Sequence, residues 1–127
     1  MDVKRSFYKL ESIPPETLTS ILKGYAVTNP ALGYCQGMNF MAGFLYLSMN
    51  YSEALSYTVM REVIAKFSMV NMFNKELPLL KQIFYQLDRL ISIYLPDLHN
   101  HFKDETINSS YFSSSFFVTL FTIIMQN

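Results

Sequence analysis

The sequence is poor in cysteine, glycine and tryptophan. Its 127 residues contain one cysteine, four glycines and no tryptophan. A single cysteine cannot form a disulfide within the chain, so a cytoplasmic location is expected. The glycines do not form the GxxxxGKS or GxGxxG loops that cradle phosphates in nucleotide-binding enzymes, and HExxH and GxSxG motifs are missing as well. These absences argue against the common hydrolase, kinase and dehydrogenase sites.

Charge is scarce and balanced. Ten basic residues match ten acidic ones, and 16% of residues are charged against about 25% in an average soluble domain. Without an excess of positive charge there is no field to collect phosphates, so we expect no nucleic-acid partner. A surface this apolar is explained either by a partner or membrane that covers it, or by a larger domain of which the chain is one part; we favour the second explanation.

Long hydrophobic runs are also missing. The most apolar stretches, residues 38–49 and 116–125, contain polar interruptions and are shorter than the roughly 20 residues that span a bilayer. We therefore expect no direct membrane insertion. The first twelve residues, MDVKRSFYKLES, are too charged for a secretory signal.

The apolar spacing predicts an all-α fold. A first helix begins at Pro14-Pro15 and ends at Asn29-Pro30, since proline suits a helix start and the residue before proline leaves the α region. A buried, central helix is predicted over 33–49, and a third begins after an N-cap at Ser52. The apolar positions of this third helix are Leu55, Val59, Val63 and Phe67.

The second half continues the helical pattern. Residues 68–75 lack periodicity and are expected to form an irregular connection, whereas 79–94 carry the clearest amphipathic stripe. A helical turn is predicted near 97–102, and a last helix from Phe116 onward. Since no alternating strand pattern competes, we predict one domain over 1–127, an irregular array of about five to six helices.

Two candidate chemical sites are weak. His99 and His101 are the only histidines, and surface histidines explain them better than metal ligands do. Cys35 is either a nucleophile, which needs a base within hydrogen-bond reach, or a small packed residue; we favour the packed residue.

The most distinctive segment is Gly33-Tyr34-Cys35-Gln36-Gly37-Met38. It closely resembles the GYCQGM signature of TBC domains, the family of Rab GTPase activators. Asp2-Val3-Lys4-Arg5 resembles the end of that family's IxxDxxR motif. The resemblance continues in order through Ser52-Glu53-Ala54, residues 95–102, Tyr111 and residues 115–121. It indicates a partial TBC domain, truncated at both ends, with Phe116 where the family commonly has tryptophan.

The resemblance implies a function. Arg5 matches the family's catalytic arginine finger and Gln36 its glutamine finger, both supplied in trans to accelerate GTP hydrolysis by a Rab-type GTPase in vesicle traffic. Such a protein is an activator rather than an enzyme, needs no cofactor of its own because GTP and magnesium belong to the partner, and is peripheral to endomembranes through that partner. The alternative is a catalytically silent module that binds Rab proteins or acts as a scaffold.

The chemistry suits these residue types. A guanidinium neutralises charge that develops on the transferred phosphoryl group, and a side-chain amide both accepts from and donates to the attacking water. Five neighbours are expected to support or contact the partner rather than react: Asp2, Gly33, Tyr34, Gly37 and Asn39. The two glycines would permit close approach of a partner's backbone or tight helix packing. The helix that follows Gln36 is expected at the centre of the assembly, and the two fingers are expected in a groove at one end of it.

Overall fold

The computed structural model describes residues 12–74 and 76–122, and within these ranges it contains seven helices and no strand. The all-α prediction is confirmed. The helices are α1 (Pro15–Thr28), α2 (Met38–Ser48), α3 (Glu53–Lys66), α4 (Val70–Phe73), α5 (Pro78–Tyr94), α6 (Pro96–Asp104) and α7 (Ser110–Val118).

The ends of α1 and the start of α3 follow the predicted signals. Pro15 is the first residue of α1, where its missing N–H costs nothing. At the other end, the backbone N–H and the side-chain amide of Asn29 both donate to the Tyr25 carbonyl, at 2.9 and 3.2 Å. The Ser52 hydroxyl accepts from the Leu55 N–H at 3.4 Å, which confirms the predicted N-cap of α3.

Two helix starts differ from the prediction, and one additional helix is present. α2 begins at Met38 rather than at residue 33, because Gly33 and Gly37 have positive φ angles of 66° and 99° that a helix cannot contain. α4 lies within the segment that was expected to be irregular. α7 begins at Ser110 rather than at Phe116. Within it, the Ser113 hydroxyl bonds backward along the helix and donates to the Ser109 carbonyl at 2.7 Å.

The core lies where α1, α2 and α3 meet one another in pairs. α2 is its most buried element, as expected, with Met38 and Ala42 fully enclosed. α4 and the first turn of α5 extend the core through Met72, Phe73 and Leu80. α5 in turn contacts α4, α6 and α7.

The predicted apolar stripes of α3 and α5 face this core only in part. Val59 and Val63 of α3 and Ile83 and Phe84 of α5 are half-buried and pack against it. The buried positions of α3 are Ser56, Met60 and Ile64, whereas Leu55 is 54% exposed. The amphipathic stripe of α5 is buried only at Leu80. None of the described helices has the length and apolar content that a bilayer crossing requires.

The buried face of α3 can be tested by a matched pair. We expect Met60→Ala to lower the free energy of unfolding by about 2–5 kcal/mol, because it removes a side chain with no solvent exposure. Leu55→Ala, on the same helix, should cost no more than about 0.5 kcal/mol. Urea denaturation of both variants measures the difference, and equal losses would contradict the assignment.

Candidate functional site

Gln36 lies on the loop that connects α1 to α2, and its side chain is exposed. The loop opens as a tight turn in which the Asn29 carbonyl accepts from the N–H groups of Leu32 and Gly33, at 3.1 and 2.8 Å. Among the described residues other than its two chain neighbours, none has an atom within 4 Å of the place where a Cβ on Gly33 would stand. Glycine at this position therefore serves the left-handed backbone rather than a close contact.

Cys35, the residue before Gln36, is held by contacts with α4 and α2. Its thiol donates to the Phe73 carbonyl of α4 at 3.5 Å, and its N–H lies 3.4 Å from the sulfur of Met38. The side chain is half-buried, and this burial raises the pKa of the thiol. A raised pKa disfavours the thiolate that a nucleophile requires, so the structure supports the packed role over the catalytic one.

Gly37, the residue after Gln36, is held by packing against α7. It caps the N-terminus of α2 and is buried against α7. A Cβ added here would stand 2.5 Å from Cγ1 of Val118 and 3.6 Å from its carbonyl oxygen. Because real Cβ atoms do not approach other atoms this closely, α7 packs directly on the Gly37 backbone. Gln36 is thus an exposed residue between two neighbours that are held by different helices.

The other expected site residues divide into two groups. Tyr34 is half-buried beside Cys35, and Asn39 is fully buried in the first turn of α2. These positions are compatible with support rather than with contact to a partner. Asp2 and Arg5 lie outside the described residues, so the separation of the two predicted fingers stays a prediction.

A groove of about 480 Å³ lies next to Gln36, between the loop, α4, α5 and α7. Its apolar wall is formed by Phe40, Met72, Phe73, Leu77, Leu80 and Val118, and one edge is polar through Ser114, Ser115 and Thr119. Among the described residues, those that line the groove carry no charge. The groove can therefore hold an apolar or hydrogen-bonding surface, but it offers no cation to a phosphate.

Sequence reasoning missed most of this groove. Val118 belongs to the segment 115–121 that carries part of the family resemblance, yet a motif alone does not show that its methyl group meets Gly37. The contributions of α4 and α5 had no sequence signal at all. In the part of the chain that the structure describes, no three His, Cys, Asp or Glu side chains gather into a group able to hold a metal ion.

A model of the Rab-GTPase-TBC domain matches residues 1–125. The chain belongs to the Rab-GTPase-TBC domain family. The matched range contains Asp2 and Arg5 as well as the Gln36 loop.

Curated proteins extend the same similarity. The TBC domain is 32% identical over 121 residues to the ecotropic viral integration site 5 ortholog of Drosophila melanogaster, covering 94% of this chain and 15% of that protein. It is 32% identical over 105 residues to TBC1 domain family member 1 of Homo sapiens, covering 83% and 9%. It is 31% identical over 119 residues to the Rab GTPase-activating protein eat-17 of Caenorhabditis elegans, covering 94% and 13%. The chain thus spans a small part of the length of each relative.

The close contact at Gly37 predicts unequal effects of two alanine substitutions. Gly33→Ala should lower the free energy of unfolding by about 1–2 kcal/mol, because alanine is strained at positive φ. Gly37→Ala carries the same strain and in addition forces Val118 to move, which should cost about 1–3 kcal/mol more. Thermal and urea unfolding of the two variants measures this difference, and equal destabilisation would show that α7 does not pack on Gly37.

The raised pKa of Cys35 predicts slow alkylation. As the only cysteine in the chain, it can be followed without ambiguity with iodoacetamide. Because the thiolate is the reacting form, the alkylation rate of the folded protein should rise with pH and reach half its maximum at a higher pH than that of the same protein unfolded in urea. A midpoint at lower pH in the folded protein would instead indicate an activated cysteine.

Proposed function

We propose that this TBC domain stimulates GTP hydrolysis by a Rab-type small GTPase, with Gln36 and Arg5 acting in trans at the partner's nucleotide. The observation that carries the proposal is the placement of Gln36. Its side chain is exposed, while the residues on either side are packed against α4 and α7. A side chain that must enter another protein's active site needs this combination of reach and a fixed base.

The chemistry of an amide fits an uncharged surface. Glutamine needs no shifted pKa, since its carbonyl accepts from the attacking water and its NH₂ group donates. Small GTPases already hold GTP and magnesium, but their attacking water is poorly ordered and the charge of their transition state is poorly neutralised. Gln36 would supply the order, and the activator would contribute no cofactor.

Neutralisation of that charge must come from elsewhere, because the lining of the described groove is uncharged. Arg5 is the residue proposed for this task, on the strength of the DVKR segment and its inclusion in the family match. An arginine supplied in trans accelerates hydrolysis by about 10³ to 10⁵.

A relative supports the biological setting. The Caenorhabditis elegans protein bears the name of a Rab GTPase-activating protein. We propose that the present domain acts on the same class of partner in vesicle traffic, and that it meets endomembranes through that partner.

Substitution of the two finger residues tests the proposal in the intact protein. Against a panel of GTP-loaded Rab proteins, Gln36→Ala should lower the single-turnover rate of phosphate release by about 10²-fold. Arg5→Ala should lower it by about 10³-fold or more. Gln86→Ala, an exposed glutamine on α5, is the matched control and should leave the rate unchanged.

Binding is measured on the same samples by titration with a Rab protein that holds a non-hydrolysable GTP analogue. Retained binding with lost acceleration supports the finger roles. If both finger variants accelerate hydrolysis as well as the unmodified protein does, the mechanism fails. If the unmodified protein binds Rab proteins without accelerating any of them, the domain is the silent module.

A further inference from the structure

We infer that Val118 is a positioning residue for Gln36: the end of α7 sets where the loop presents its amide. The inference rests on the proposed function of Gln36 and adds a residue to it that acts through the loop backbone. Its basis is the contact between Val118 and Gly37.

The contact between Val118 and Gly37 is steric. Cγ1 of Val118 lies 2.5 Å from the point that a Cβ on Gly37 would occupy, so the valine methyl fills the space that glycine leaves open. Gly37 is the residue directly after Gln36 and has a φ of 99°. A shift of its backbone would therefore move the root of the Gln36 side chain.

Val118 is itself well held. The next residue, Thr119, is buried, and its N–H and hydroxyl both donate to the Ser115 carbonyl, at 3.2 and 2.7 Å. The chain then turns back on α7, because the Phe121 N–H donates to the Phe116 carbonyl at 2.7 Å. The rings of Phe116 and Phe121 stack at 5.9 Å over the same turn. A side chain on such a firm helix end can define the place of a loop packed on it.

The opposite side of the loop is tied less tightly. The thiol of Cys35 reaches the Phe73 carbonyl at 3.5 Å, and a thiol is a weak donor. Packing against Val118 therefore restricts the backbone of Gly37 more directly than this hydrogen bond does. Because an error of ~1 Å in the placing of a catalytic group can cost about 10²-fold in rate, a looser fit at Val118 should slow hydrolysis without loss of the fold.

The test combines two changes in the intact protein with a GTP-loaded Rab protein that it activates. Val118→Ala removes the methyl group that contacts Gly37, and Val118→Thr keeps the branched shape of the side chain. We expect Val118→Ala to lower the maximal rate of stimulated hydrolysis by about 10-fold, with KM for the GTPase within about twofold, and Val118→Thr to retain most of the rate. In a Gln36→Ala background, Val118→Ala should have no further effect, since the group that it positions is gone.

Other outcomes overturn the inference. The same 10-fold loss in the Gln36→Ala background would mean that Val118 acts independently of Gln36. A change in KM alone would mean that Val118, which also lines the groove, contacts the partner instead. Failure of the proposed function is distinct, because Gln36→Ala by itself would then leave the rate unchanged.

The melting temperature of each variant is measured as the control for folding. If Val118→Ala is unfolded at the assay temperature, Val118→Ile replaces it. The added methylene presses on Gly37 and should lower the maximal rate relative to Val118→Thr, again only while Gln36 is present. An equal rate for the isoleucine and threonine variants would overturn the inference.

Discussion

The packing of α7 on the backbone of Gly37 is the constraint on which the loop that carries Gln36 depends. Any residue larger than glycine would separate the two elements, since a Cβ would stand 2.5 Å from Val118. The same glycine has a φ that is costly for other residues, so one position meets a steric and a conformational demand together. α7 also contributes Ser114, Ser115 and Val118 to the lining of the groove beside Gln36.

An exposed glutamine on a firm loop is a suitable tool for completing another protein's active site. Backbone hydrogen bonds to the Asn29 carbonyl and packing at Cys35 and Gly37 hold the loop in place. The Gln36 side chain is exposed on this loop. An amide acts through hydrogen bonds alone, which explains how an uncharged groove can flank it. In the proposed function, the cation comes from Arg5.

The most enclosed part of the core and the most exposed apolar side chains lie on different helix faces. The tightest packing lies among α1, α2 and α3, where Met38, Met41 and Met60 are enclosed. The stripe of α5 and the outer face of α3 leave apolar side chains at the surface, including Leu55, Leu90 and Tyr94. The low charge content of the sequence therefore corresponds to apolar faces of α3 and α5 that the described residues do not cover.

Local sequence patterns were sufficient for the helical class, the limits of α1 and the N-cap of α3, because capping and proline signals act over a few residues. A short motif also selected Gln36 as a candidate, and its role stays a prediction. How far the apolar faces of α3 and α5 are covered could not be read in this way, since an amphipathic stripe shows which side is apolar but not whether another helix covers it. The groove brings Gly37 together with Val118, two residues far apart in the chain. Only the folded chain decides such a contact, because it depends on the relative placement of whole helices rather than on the preferences of either residue.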